Sequence, residues 1–507
     1  MRSPWSPSAG LAARPGGRPA PHPGWHLLLL LLLGLLPAAA AAFAPPHPQG
    51  CPLAAACVPR QGAGQLLGLN HWVKHRAGEG LEAAFSVTVP DHGAAPRGAH
   101  ASRPLREGDP YLVVPWRLVL GPHSVAAGTA LHGCLAALGE RYGRDPLSEM
   151  LLILLHETFV RGPASEWWHY LNALPRRFAT PLHWPAEALR ELQGSQLFDE
   201  AVREHSLAHT VFKGFEGRVF PQCPEAFPAG AVDLGAFKWA WSVYHSRTSH
   251  VPGKEGAVLV PLADMINDAE LPGRRRAAGA GAAGDPPPGE AAGGEGGGDG
   301  AAGEGFVEYN PGLDAAVVYT KRDYAANEEL VEDYGRWSMA DRLQLTGHLP
   351  ASNASDCVLL ELSEGSLANL TGAAAVAPPA GGLRDALAAR GFPDRELLCL
   401  DASARAWGRF AEFVGALGAA GTGVANATAP EEGMLRFLQR RAEGYPTSGE
   451  EDEALLEYHR HPEVRNGTAG GVVLAIEYRR REKAVLRDLI DRAADRILAR
   501  DAHGGES

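Results

Sequence analysis

The chain has 507 residues, 45% of them apolar and 21% charged. That is an ordinary globular balance, with length for two or three domains and a sizeable core. With 47 Lys and Arg against 59 Asp and Glu the formal charge is −12, and no long basic run supplies the face that phosphate binding needs, which argues against direct DNA or RNA recognition.

The N-terminus reads as a targeting segment. Arg2, Arg14 and Arg18 precede an apolar block from Leu27 to Leu36, then Pro37 and an alanine run to Ala42. A basic leader, an apolar core and small residues predict a secretory signal peptide over residues 1–42. The alternative is an uncleaved anchor, because Leu27 to Ala44 approaches membrane-spanning length, but Pro37 and the alanines favour cleavage. No other stretch is long and apolar enough to span a bilayer, so no membrane span is expected after cleavage. Of nine Asn, four open an N-x-S/T sequon: Asn353, Asn369, Asn426 and Asn466. They are expected glycosylation sites of a lumenal chain. The six Cys (Cys51, Cys57, Cys134, Cys223, Cys357 and Cys399) permit three disulfides of undetermined pairing. Cys51 and Cys57 are close enough for a small clip. There is no C-x-x-C pair on which to build a zinc site, and His245 and His250 lack further ligands nearby in sequence, so no metal is expected.

Residues 43–65, rich in Pro, Ala and Gly, read as a flexible lead-in. From Leu66 to Leu120 short apolar runs alternate with turns, and Pro110 to Leu120 is the best strand. Helical spacing runs from Ser148 to Val160 and again from Ala186 to Ala208. A further helix is predicted over 237–250, then a short strand, Ala257 to Val260, leading into Pro261 to Asp268. Residues 272–305 are mostly Gly, Ala, Pro and acid, too poor in apolar side chains to offset ordering entropy, and read as a disordered loop. A strand, a turn at Asn327 and a second strand follow over 315–335. From about Leu383 onward the pattern reads as helical. It ends in a stripe of Val472, Ile476, Val485, Leu489, Ala493 and Ile497, with Arg, Asp and Glu on the opposite face.

Three segments carry a resemblance. "WVKHRAGEG" with "RGAHASRPLREGDPYLVVPWRLVL" looks like the opening strands of a SET domain. "SEWWHYLNALPRRFATPLHW" is similar to the insert between the halves of that domain in the Rubisco large-subunit lysine methyltransferase and actin-histidine methyltransferase group. "SVYHSRTSH", "VLVPLADMIND" and "YAANEELVEDYGRWSMADRLQLTGHLP" resemble its C-terminal half, and "EYRRREKAVL" the group's helical substrate-binding domain. The resemblance covers residues 66 to 498. It implies an α+β fold: a SET domain of short β-sheets over 66–350 with a helical insert (about 125–235), then an all-α substrate-binding domain over 351–500.

The same resemblance implies S-adenosyl-L-methionine as cofactor, a protein substrate held by the helical domain, and protein-lysine N-methylation, with histidine as a second acceptor. Tyr334 takes the catalytic position. Asp264, Asn267 and Asp268 fall in the segment cradling the cofactor, Arg247 lines the pocket, and Asp109, Tyr111 and Thr346 match cofactor-facing positions. Taken singly these residues read blandly, Tyr334 as a packing residue and Arg247 as an ion-paired one. Four positions depart from the pattern: Asp268 where the group usually has His, Pro96-Arg97-Gly98 for a Gly-x-Gly turn, Met339 for Asn, and His348 for a pocket-wall Phe. They support the alternative of a catalytically inactive SET-fold protein acting as a lumenal binding module. The leader implies the ER, the Golgi lumen or secretion. Phe43 after the alanine run also resembles leaders that reach a complex plastid through the ER.

Overall fold

The computed structural model describes residues 63–88, 98–268, 306–363 except 336 and 354, 382–419, 430–461, 464 and 470–504. The leader, most of the lead-in, the 272–305 loop, Cys51, Cys57, Pro96, Arg97, Asn369, Asn426 and Asn466 lie outside the described residues.

The described chain opens with a helix, α1 (Ala63–Ala77), where the sequence pattern pointed to strands and turns. Leu69 and Trp72, three residues apart and therefore on one helical face, are buried. The Trp72 indole donates to the Glu166 carbonyl at 2.8 Å, anchoring the helix to a segment 94 residues away.

Four short strands follow: β1 (Glu82–Ala83), β2 (Phe85–Thr88), β3 (Gly98–Ala101) and β4 (Pro110–Pro115). In β2, Phe85 and Val87 point inward while Ser86 and Thr88 face out. β4 is shorter than the expected Pro110–Leu120, because Trp116–Leu118 turn as a 3-10 helix directly after Pro115.

The inserted helices are α2 (Ala130–Tyr142), α3 (Pro146–Leu155), α4 (Trp168–Ala173), α5 (Ala186–Arg190), α6 (Gln196–Gly214) and α7 (Leu234–Arg247). Asp145 caps α3 and Pro146 sits at its first position, where no intrahelical N–H is needed. The expected helix over Ala186–Ala208 is two helices, broken where the Ser195 hydroxyl accepts from the Leu197 N–H and restarts the chain as α6. A disulfide joins Cys134 on α2 to Cys223.

The chain then re-enters the sheets through β5 (Ser249–His250), β6 (Ala257–Val258), β7 (Asn267–Asp268), β8 (Val307–Asn310), β9 (Ala315–Tyr319) and β10 (Glu329–Glu332). Two four-stranded sheets result, ordered β1-β4-β9-β8 and β2-β3-β10-β7. Every pairing in them is antiparallel except β7 with β10, which runs parallel with Asn267 opposite Val331 and Asp268 opposite Glu332.

The C-terminal part is not purely helical. It begins with an antiparallel strand pair, β11 (Val358–Ser363) and β12 (Arg395–Leu400), cross-linked by a Cys357–Cys399 disulfide. Around it lie α8 (Gly382–Ala388), α9 (Ala404–Ala419), α10 (Pro430–Glu443), α11 (Gly449–Arg460) and the long α12 (Gly470–Gly504). Val358, Leu360 and Leu362 alternate into the core of this half, a period-2 pattern too short to stand out beside the helices. Among the described residues no helix is long and apolar enough to cross a membrane.

The two halves are joined by a third cluster that includes Trp184, Leu197, Met339, Leu343, Leu456 and Ile476. Met339, one of the departures from the resemblance, is fully buried here and serves packing. Polar groups strengthen the joint. Arg479 is 1% exposed, and its guanidinium donates to Asp452 Oδ1 at 2.6 and 3.0 Å and to the Glu191 carboxylate at 2.9 Å. Arg479 stands three residues from Ile476, on the same side of α12 as the apolar stripe, so that side carries a buried cation in the first third of the helix, with Glu482 buried one turn on. Removing Arg479 leaves the buried Asp452 carboxylate with Lys483 Nζ at 2.6 Å and the Thr447 hydroxyl as its remaining partners, too few to offset its desolvation in full. Arg479→Met is therefore expected to cost about 3–5 kcal/mol, read as a fall in the guanidinium midpoint of the C-terminal half. Asp452→Asn removes the anion that Arg479 and Lys483 share and should cost at least as much.

Candidate active site

α7 ends at Arg247, and its Nη1 donates to Asp264 twice, to the backbone oxygen at 2.7 Å and to Oδ2 at 3.0 Å. The other carboxylate oxygen accepts the Tyr170 hydroxyl of α4 at 2.7 Å. The Asp264 side chain is fully buried, so this ion pair and hydrogen bond are what make an ionised carboxylate tolerable there. The loop reaches that position through a strained residue: Leu262, buried, holds φ at 74°, a left-handed conformation that an L side chain adopts at a cost of about 1–3 kcal/mol. Asp264 therefore pins the loop, and its carboxylate is already engaged within the protein.

Immediately beyond, β7 lies beside β10 and delivers two contacts to Tyr334. The Tyr334 N–H donates to Asp268 Oδ1 at 3.0 Å, and its hydroxyl donates to the Ile266 carbonyl at 2.5 Å. The Phe306 ring lies nearly parallel to the Tyr334 ring, 8° between planes and 5.9 Å between centroids. Two more tyrosines border the same strand. The Tyr111 hydroxyl donates to the buried Glu332 carboxylate at 2.8 Å, and the Tyr324 hydroxyl donates to the Val331 carbonyl at 3.1 Å. Burial pushes the Tyr334 phenol up to about 12; Arg247 opposes the shift, while Asp264 and Glu332 add to it. Tyr334 is thus a neutral hydroxyl whose proton is committed to a backbone carbonyl.

Of the residues singled out in the sequence, Tyr334, Asp264, Arg247, Asp268 and Tyr111 are brought into this cluster. Asn267 is adjacent, its amide donating to Glu329 Oε1 at 2.8 Å. The same Glu329 oxygen lies 2.6 Å from where a Cβ on Gly98 would stand, a clash that a shift of this flexible side chain would relieve, so Gly98 eases this packing without being required by it. Asp109 is elsewhere. It caps a turn, accepting the Arg106 N–H at 2.9 Å, and its carbonyl receives the Thr320 N–H at 3.0 Å. The Thr346 hydroxyl is turned back to the Arg342 carbonyl at 2.5 Å. His348 is exposed and is no buried pocket wall. The turn before it is held by Gly347, which admits no side chain: its φ is 71°, and a Cβ there would stand 2.6 Å from the Ala179 carbonyl carbon. The Asn353 amide nitrogen donates to Trp337 O and Asp356 Oδ1 at 2.8 and 2.7 Å. Both its hydrogens serve the fold, which speaks against a glycan there.

Residue-by-residue reading missed Tyr170, Phe306, Glu332 and Arg342. Tyr170 and Phe306 carry no local sequence signal, and Arg342 looks like a solvated helix residue. Only Glu332, two residues before Tyr334, had a positional cue. Two buried guanidinium atoms of the site, Arg247 Nε and Arg342 Nε, have no partner among the described residues, and neither has His245 Nε2, two residues before Arg247 on the same helix. Burial lowers the His245 imidazole to about 4, so it is neutral. Among the described residues no three His, Cys, Asp or Glu side chains gather as a metal site.

No family model matches the chain. Over 170 residues it is 28% identical to the Rubisco large-subunit N-methyltransferase of Nicotiana tabacum, covering 34% of this chain and 33% of that one. Over 198 residues it is 28% identical to the [fructose-bisphosphate aldolase]-lysine N-methyltransferase of Arabidopsis thaliana, 39% of each chain. The match thus spans little more than a third of these curated relatives. The solved SET domain of the Rubisco methyltransferase bound to lysine and S-adenosylhomocysteine superposes with a TM-score of 0.62 at 19% identity, over 85% of this chain and 92% of that one. The chain has a SET-domain fold of the Rubisco-methyltransferase type. The SET sheets, their helical insert and the C-terminal half are α+β as expected, with the β11–β12 strand pair added to the part expected to be all-α.

Within this SET domain the electrostatics give a prediction. Asp264 raises the Tyr334 pKa, so neutralising it must lower that pKa. Asp264→Asn should move Tyr334 from about 12 towards the ordinary value of 10.0. The check is the absorbance of ionising phenol, taken as the difference from the same variant carrying Tyr334→Phe.

Proposed function

We propose that the chain is an S-adenosyl-L-methionine-dependent protein N-methyltransferase acting on lysine, with histidine as the second acceptor. The observation that carries this reading is the Tyr334 hydroxyl, half-buried and oriented by Ile266, between the Arg247–Asp264 pair and the Asn267–Asp268 strand. The relatedness in sequence and fold supports it. The cofactor supplies a methyl group on a sulfonium. The acceptor nitrogen's lone pair forms the N–CH3 bond as the S–CH3 pair returns to sulfur, and the proton left on nitrogen passes to water.

The residues fit such a group by the donor they leave open. Arg247 Nε is buried and unpartnered, as expected of a polar atom facing a ligand. The backbone around Asn267 and Asp268 would hold the cofactor, because the Asp264 and Asp268 carboxylates are engaged within the protein. Tyr334 then orients the acceptor. With a pKa near 12 it stays protonated at physiological pH and is no general base. Loss of the acceptor's proton is left to desolvation in an aromatic-lined site, which disfavours the ammonium. The rings of Tyr334, Phe306 and Tyr111 add faces that favour a methylated cation.

The helical half is the proposed substrate-binding part. A lumenal address is proposed with it, supported by the leader, the sequons at Asn369, Asn426 and Asn466, and two disulfides of a kind that persists in oxidising compartments.

Calorimetric titration of S-adenosylmethionine tests the reading directly. Wild type should bind in the micromolar range, and Asn267→Ala, which removes the Glu329 bond that holds this backbone in place, should bind at least tenfold more weakly. Tyr334→Phe should keep the affinity within about threefold while turnover on a protein that wild type methylates falls about 100-fold or more, as for loss of one well-placed hydroxyl. A folded wild type that does not bind would sink the enzyme and leave a binding module.

A further inference from the structure

We infer that Asp268 and Arg342 form a positioning pair that holds the Tyr334 turn in its working place; the inference rests on the function proposed above. The pair accounts for the departure that spoke most against an enzyme, the acid standing where the group usually has His.

One Asp268 oxygen accepts the Tyr334 N–H at 3.0 Å. Its other oxygen is ion-paired with Arg342 Nη1. Arg342 Nη2 reaches across the same turn to the Gly335 carbonyl at 3.3 Å. A single guanidinium therefore ties the carboxylate that grips Tyr334 to the carbonyl of the next residue. Arg342 is 7% exposed and sits on the π-helical turn Arg342–Thr346. A buried guanidinium is stable only beside an anion, and Asp268 is the anion it touches. A neutral His at 268 would leave it stranded, so acid and base belong together.

Asp356 also faces Arg342 electrostatically. It is held in turn by Arg481 of α12 at 2.8 Å and by the Asn353 amide. The brace behind Tyr334 is thus continuous with the C-terminal half. Neither Asp268 nor Arg342 touches the Tyr334 hydroxyl. They act through the backbone at 334–335, and that hydroxyl is set by three restraints together: the Asp268 bond, the Ile266 bond and the Phe306 ring.

The test uses the purified full chain and two readouts. Hydrogen exchange of the peptide containing Tyr334 and Gly335 is followed by mass spectrometry, with a β4 peptide as internal reference, and S-adenosylmethionine affinity is measured on the same samples. Arg342→Gln and Asp268→Asn should each speed exchange at 334–335 about tenfold or more while β4 is unchanged, a local opening and not a global one. Both should weaken the cofactor. The double variant should be no worse than the worse single one, because the two residues work as a unit. Arg342→Lys keeps a charge for Asp268 but cannot also reach Gly335 O, and should fall between wild type and Arg342→Gln. Unchanged exchange at 334–335, or an equal rise in β4, overturns the inference whatever the cofactor does. Local opening in a chain whose wild type binds no S-adenosylmethionine overturns the proposed function and the pair's part in it, reducing the pair to a structural brace.

Discussion

Two residues of parallel pairing, Asn267 with Val331 and Asp268 with Glu332, decide where the candidate site is. Parallel strands cannot be joined by a tight turn, and here the connection runs through residues 269–306 and the strands β8 and β9. Backbone hydrogen bonds of about 1 kcal/mol each cannot hold so short a ladder against a connection of that length. Side chains complete it: Asn267 to Glu329, Asp268 to the Tyr334 N–H and Arg342, and the Tyr334 hydroxyl to Ile266. The bonds that close the sheet are the bonds that build the site. A site residue is therefore hard to change without loosening the strand that carries it.

Asp264 imposes the second constraint. A buried carboxylate needs a cation and donors, and Asp264 draws them from two elements far apart in sequence, Arg247 at the end of α7 and Tyr170 on α4. The inserted helices consequently do more than pack on the sheets, since one of them holds the loop on which the Tyr334 hydroxyl rests. The left-handed Leu262 lies in that loop, and its strain persists because the pair on one side and the core on the other leave no relaxed alternative.

How much of this the sequence disclosed follows from the range of each interaction. The strand, turn and strand over 315–332 were legible because alternation and an Asn at the turn are local signals, and Asn327 does adopt φ 65°. The order of the motifs was legible too, so Tyr334, Asp264 and Arg247 could be named together. What stayed hidden was partnership across distance. Arg479 was read with the charged face of its helix, although its spacing from Val472 and Ile476 puts it on the apolar side, because the partners that let it be buried stand 27 and 288 residues away. Arg342 was passed over for the same reason, while Asp268 counted against activity without the residue that explains it. Period-based reading also placed helices over β12, where six residues inside a helical run carry too few alternations to stand out.

The joint between the halves is charged where a purely structural joint has no need to be. Arg479 ties α12 to Glu191 of the insert, and Arg481, two residues on, ties it to Asp356, which faces Arg342. Apolar packing by Met339, Leu343 and Ile476 would already hold the halves together. Ion pairs at a buried joint add little net stability over apolar side chains of similar volume, but they fix orientation, since each is lost if the halves slide by a few ångströms. The two arginines lie on one stretch of α12, so a shift of that helix against the sheets strains both contacts at once. One of them leads, through Asp356 and Arg342, to the turn that carries Tyr334. The angle of the C-terminal half is in this way referred to the same few atoms that set the hydroxyl of the site.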